Sequence, residues 1–120
     1  MARSNEFVSH LLDLLAPLGG VSARGMFGGW GFYRTGKMFA LVAFDTFYVK
    51  VDDVSRSEFE ALGLAPFVYE AGGGKRSVMS YYTVPVDALD SSPVLCEWAR
   101  KGIAAEARAS AAKSVRKKGR

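Results

Sequence analysis

The stretch that decides the fold is Trp30-Gly31-Phe32-Tyr33-Arg34-Thr35-Gly36-Lys37-Met38-Phe39-Ala40-Leu41-Val42-Ala43-Phe44-Asp45-Thr46-Phe47-Tyr48-Val49-Lys50-Val51. It is rich in aromatic and β-branched residues and keeps no helical period, so it reads as strands. Thr35-Gly36 suits a tight two-residue hairpin connection, and Asp45-Thr46 separates the second run from the third in the same way. A three-stranded antiparallel meander is therefore expected here.

Working outward toward the N-terminus, Phe7, Leu11, Leu14, Leu15 and Leu18 recur at spacings that line one stripe of an amphipathic helix. Ser4 or Asn5 can cap its start. Pro17 and Gly19-Gly20 lie where it should stop, because proline lacks an N–H and glycine accepts the left-handed exit. Toward the C-terminus, Ser55 and Glu58 have capping-box spacing, Phe59 and Leu62 form a short buried face, and Gly63 marks the end of a second helix, with Leu64 folding back. Two strands follow, near Pro66 to Glu70 and Ser77 to Val84, joined by Gly72-Gly73-Gly74. Ser92-Pro93 opens a final helix with Leu95, Trp98, Ala99 and Ile103 on one stripe. Beyond Ala104 the chain becomes alanine-rich and basic, with fraying expected near Lys113. The expectation is an α+β fold of two layers: an antiparallel sheet of about five strands with helices packed on it, in the order α-β(3)-α-β(2)-α. Residues 1–104 form the domain and residues 105–120 a basic, flexible tail.

The 120 residues suit one domain, and 49% hydrophobic with 23% charged residues match a globular chain with a real core. Cys96 is the sole cysteine, so no internal disulfide forms, and with His10 it falls short of the ligands a zinc site needs. The expected compartment is the cytoplasm. Leu11 to Leu18 is interrupted by Asp13 and is far shorter than a membrane span, so no membrane association is expected. The net charge of +4 divides unevenly: residues 100–120 carry +7 and residues 1–99 carry −3. Any nucleic-acid affinity is thereby assigned to the C-terminal segment, where Lys113, Arg116, Lys117, Lys118 and Arg120 would neutralise several phosphates without reading sequence. The alternative for the same residues is a solubilising, disordered end.

For catalysis the inventory is thin. His10 sits beside the first helix's apolar stripe, Cys96 reads as a small buried thiol, and Asp52-Asp53 reads as a helix cap. Gly72-Gly73-Gly74-Lys75 is no phosphate loop, since Tyr69 stands where the leading glycine belongs and Arg76 where a hydroxyl should bind magnesium. No catalytic residue, metal or cofactor is expected. The most unusual segment is Arg24-Gly25-Met26-Phe27-Gly28-Gly29-Trp30-Gly31-Phe32-Tyr33. Its glycines could let a ligand approach the backbone beside a ring, or its rings could fill a bent strand. Along Met79-Ser80-Tyr81-Tyr82 side chains alternate, so one face enters the core and the other is free for a partner. Arg24, Trp30, Tyr33, Tyr81 and Tyr82 are the candidate partner-binding residues.

Five ordered blocks, Met26-Phe27-Gly28-Gly29-Trp30-Gly31-Phe32-Tyr33, Met38-Phe39-Ala40-Leu41-Val42, Phe47-Tyr48-Val49-Lys50, Pro66-Phe67-Val68-Tyr69 and Met79-Ser80-Tyr81-Tyr82, resemble the N-terminal domain of the TfoX/Sxy family over about residues 5–103. The resemblance implies the same order of helices and strands. It also implies a noncatalytic role, since the named members regulate bacterial competence genes as co-activators working with the cyclic-AMP receptor protein. Those members carry a second, C-terminal domain where this chain has its basic tail. The family has no agreed catalytic residues to carry over. Three functions are thus expected to compete: protein–protein contact in transcriptional control, nonspecific nucleic-acid binding by the tail, and binding or turnover of a small molecule in a pocket beside Arg24 or Lys50.

Overall fold

A computed structural model describes residues 2–26, 28–70 and 76–118. Helix α1 spans Ala2–Leu15 and passes into a 3-10 turn, Ala16–Leu18. Gly19 and Gly20 then take φ of +77° and +74°, the left-handed exit that their sequence position implies. Strands β1 (Val21–Met26), β2 (Gly29–Arg34), β3 (Lys37–Ala43) and β4 (Thr46–Lys50) follow, then α2 (Arg56–Ala61), β5 (Pro66–Glu70), β6 (Arg76–Thr83) and α3 (Ser92–Lys118). The fold is α+β, with one six-stranded antiparallel sheet in the order β1-β2-β3-β4-β6-β5. The sixth strand is β1, which extends the expected three-stranded meander to four. The Gly72-Gly73-Gly74 connection lies outside the described residues.

The two-residue β2–β3 and β3–β4 hairpins place their central residues at positive φ, as the tight turn matching strand twist requires. Thr35 and Gly36 sit at +52° and +77°. The second turn is Phe44-Asp45, at +53° and +57°, one residue earlier than Asp45-Thr46, and Ala43 pairs with Thr46 across it. A phenylalanine in the left-handed region is sterically costly, and Phe44 is 85% exposed, so its ring recovers nothing by burial. Phe44→Asn is expected to raise stability by about 1 kcal/mol, read as a higher urea midpoint at unchanged slope.

All three helices pack on one face of the sheet. Val8, Leu11 and Leu15 of α1, Phe59 of α2 and Leu95, Cys96 and Ala99 of α3 join Phe32, Phe39, Ala40, Val42, Phe47, Val49 and Tyr82 in one buried cluster. Phe32 and Phe47 meet edge to face at 5.5 Å. A bulge helps fill this core. Phe32 pairs with Ala40 but Tyr33 pairs with Met38, so Phe39 is the extra residue of β3, and both Phe39 and Ala40 are buried.

The ends of α2 and α3 differ in detail from the expected caps. Ser55 makes no side-chain cap bond. Its Oγ instead accepts the Asp52 N–H and donates to Asp52 Oδ1, which also accepts the N–H groups of Val54 and Ser55, while Glu58 is held by Lys101. At the other end Gly63, at φ +73°, gives the exit as expected. Its N–H reaches Glu60 O and that of Leu64 reaches Phe59 O, the paired bonds of a glycine-terminated helix. Ser91 rather than Ser92 accepts the first free N–H of α3, from Val94, and Ser92 Oγ donates to the Leu14 carbonyl of α1.

Helix α3 continues past Ala104 and Lys113 to Lys118. Ala105 is fully buried, and three side chains beyond it are bonded to the body: Glu106 to Lys50, Arg108 to Asp52 and Ser110 to Lys37. The Arg108 guanidinium holds the Asp52 carboxyl far below the usual carboxylate range, and Ser55 adds to the effect. Because the folded value is depressed, this contribution is complete above the ordinary carboxylate range and is lost as pH falls through and below it. Asp52→Asn should therefore melt below the wild type at about pH 7, and the gap should narrow as pH falls below about 4; paired thermal melts check this.

Candidate functional site

Strand alternation and register place a second set of side chains on the sheet face opposite the helices. Val49 pairs with Ala40 and Tyr82 on the core side, so Leu41, Tyr48, Lys50 and Tyr81 project the other way, where Leu41 faces Tyr48 and Lys50 faces Tyr81. The same reasoning carries Arg24, Gly31, Tyr33 and Met38 onto this face. Among the described residues, α3 reaches one end of this face, where Glu106 pairs with Lys50. Leu41 and Tyr81 are only 7% and 8% exposed and stand outside the main core cluster.

Contacts across this face are specific. The Arg24 guanidinium lies 4.7 Å from the Tyr33 ring centroid, a cation–π contact with the arginine left exposed. The Tyr48 and Phe67 rings meet at 5.1 Å. Gly31 is required, since a Cβ there would stand 2.8 Å from Met38 Sδ, 2.9 Å from Met26 Sδ and 3.0 Å from the Tyr33 ring. The bare backbone of the glycine-aromatic segment is thus occupied by the protein's own methionines. Burial pushes the Tyr81 hydroxyl up to about 12, with Glu106 and Tyr33 adding to the shift, so Tyr81 stays a neutral hydrogen-bonding group at physiological pH.

Of the five sequence candidates, Arg24, Tyr33 and Tyr81 share this face. Trp30 and Tyr82 do not. Trp30 is packed against the core, and Tyr82 is buried there with its hydroxyl donating to Glu60 Oε2 at 2.7 Å. That bond raises the Tyr82 pKa, with burial acting in the same direction. Tyr81 and Tyr82 are adjacent in a strand, so they cannot serve one face. Met26, Met38, Leu41 and Tyr48 belong to the site, and the register that gathers them becomes readable only once both hairpin turns and the Phe39 bulge are placed.

The remaining candidates supply no reactive constellation. Cys96 is buried and its Sγ lies 3.4 Å from the Leu14 carbonyl, while a His10 ring nitrogen is 2.7 Å from the Leu89 carbonyl. Among the described residues no group of three or more His, Cys, Asp or Glu could hold a metal, and no helix is long and apolar enough to cross a membrane. Of the basic segment, Lys113 is exposed on α3; the side chains of Arg116, Lys117 and Lys118, and Arg120 itself, lie outside the description.

No curated protein matches the chain. The family model of the TfoX N-terminal domain matches residues 13–106, a span running from the last turn of α1 through the whole sheet to the Glu106 that binds Lys50. With that match covering the elements that build both faces of the sheet, the chain belongs to the TfoX N-terminal domain family.

Proposed function

We propose that this chain is a noncatalytic, cytoplasmic regulatory domain of bacterial transcription that works by protein–protein contact through the open face of its sheet. The observation that supports this reading is an aromatic and thioether-rich sheet face opposite the main core, on which Tyr33, Met38 and Tyr48 are half-buried and Arg24 is exposed. Partly exposed apolar surface of this kind favours association, and arginine and tyrosine are enriched among residues that dominate binding energy. The partner we propose, from the family to which the chain belongs, is the cyclic-AMP receptor protein. Arg24→Ala combined with Tyr48→Ser should weaken that association about thirtyfold by calorimetric titration and leave the circular dichroism spectrum unchanged. Leu62→Ser, on the helix side and 60% exposed, should leave it intact. Equal affinity of all three proteins would reject the reading.

A second reading, nonspecific nucleic-acid contact by the tail, is favoured by one observation. Glu106 and Arg108 are both paired with the body, so the cations beyond them, from Lys113 to Arg120, have no acidic residue among them. Ending the chain at Arg108 should abolish binding to duplex DNA. With the tail present, log affinity should fall against log salt with a slope between about −3 and −5. Binding that survives truncation would assign it elsewhere.

A further inference from the structure

A groove of about 400 Å³ lies where the β2–β3 hairpin meets α3, on a different part of the molecule from the centre of the open face. Its polar lining includes Arg34, Lys37 and Ser110, and Ile103 and Ala107 of α3 line its apolar side. Neither cation forms an ion pair among the described residues. The Arg34 guanidinium donates from Nε to the Gly19 carbonyl at 3.0 Å and from Nη2 to the Leu18 carbonyl at 3.2 Å, which leaves further donors of its five unassigned. The Lys37 ammonium donates to Ser110 Oγ at 3.0 Å, and that hydroxyl in turn donates to Glu106 Oε2 at 2.8 Å.

Glu106 is the one carboxylate in the lining, and its charge is already committed. Burial works against its ionised form, but hydrogen bonds from Lys50 and Ser110 outweigh that and hold it below the usual range. The groove therefore keeps a surplus of positive charge. Thr35 of the hairpin turn also lines it. A concave surface with surplus positive charge suits an anionic ligand.

We infer that this groove binds a small organic anion, a carboxylate or phosphate carrying a compact apolar body, with the anionic group on Lys37 and the free donors of Arg34 and the apolar body against Ile103 and Ala107. The volume sits at the small end of the range for small-molecule sites, which suits a single ring or short chain. Arg34 is also a structural clamp on the turn after α1, so the tests use Lys37 and Ala107, both exposed.

The experiment is an amide NMR titration of the full chain with phenyl phosphate, inorganic phosphate and benzylamine. Phenyl phosphate should give saturable shifts at Lys37, Ile103 and Ser110, with inorganic phosphate about tenfold weaker and benzylamine without effect. Lys37→Gln should weaken phenyl phosphate about tenfold, and Ala107→Trp, which fills the groove, should remove the shifts while the remaining spectrum stays dispersed. Shifts that grow linearly without saturating, that fall only on Lys113–Arg120, or that persist in both variants would overturn the inference.

Discussion

Phe59→Ala is expected to lower stability by about 4 kcal/mol, the largest loss from any single truncation considered. Phe59 is fully buried and is the sole core contribution of α2, a helix of only six residues. A helix that short has no independent stability and is held by packing. The Phe59 ring meets Trp98 of α3 at 4.9 Å and Tyr82 of β6 at 5.9 Å, so it joins α2 to both layers. Its removal leaves a cavity under Trp98 and also loosens the neighbouring Glu60, which holds the Tyr82 hydroxyl. Leu62→Ala in the same segment should change stability by less than about 0.5 kcal/mol, because Leu62 is largely exposed. Urea denaturation of the two variants checks the contrast; a loss below about 1.5 kcal/mol at Phe59 would mean that α2 is docked by something else.

Gly102→Ala should destabilise by about 2 kcal/mol, although alanine is the better helix former by about 1 kcal/mol. A Cβ at this position would stand 2.5 Å from Val49 Cγ1 and 2.7 Å from the Phe39 carbonyl oxygen, so backbone as well as side chain must move. Gly102 lets α3 lie directly on β3 and β4. That close approach is what brings Glu106 to Lys50 and Arg108 to Asp52 one to two turns later. The variant is therefore expected to lose part of both ion pairs along with its packing. Gly25→Ala is the control, since its Cβ would meet only the edge of Trp30 at 4.0 Å. A stabilised Gly102→Ala would show that the helix sits farther from the sheet than described.

These two positions differ in how far the sequence announces them. Phe59 is legible, because its spacing from Leu62 and the stop at Gly63 mark a short helix with one buried face. Gly102 is silent, since a glycine inside a helical stripe reads as a mild weakness until the sheet beneath it is known. The strand β1 is hard to see for a related reason: Val21-Ser22-Ala23-Arg24-Gly25-Met26 holds small and polar residues, and its place in the sheet comes from pairing with β2. The turn at Phe44-Asp45 runs against turn chemistry, which points to Asp45-Thr46, one residue later. The alanine-rich end of α3 lacks large apolar groups, yet Ala105 packs because the backbone comes close there, and polar links to Lys37, Lys50 and Asp52 carry the helix onward. For the candidate site, composition singled out Arg24, Tyr33 and Tyr81, which share one sheet face. It could not separate them from Trp30 and Tyr82, because face assignment depends on register, and register depends on the bulge at Phe39.

A footprint of the bound partner shows whether the open face is where it docks. Amide NMR of the labelled full chain, titrated with unlabelled cyclic-AMP receptor protein in the presence of its nucleotide, reads every strand and helix at once. The account predicts perturbation at Arg24, Tyr33, Leu41, Tyr48 and Tyr81, with little change at Glu58, Leu62 and Glu97 on the helix side. Perturbation concentrated on α2 and α3, or no perturbation at saturating partner, would contradict it.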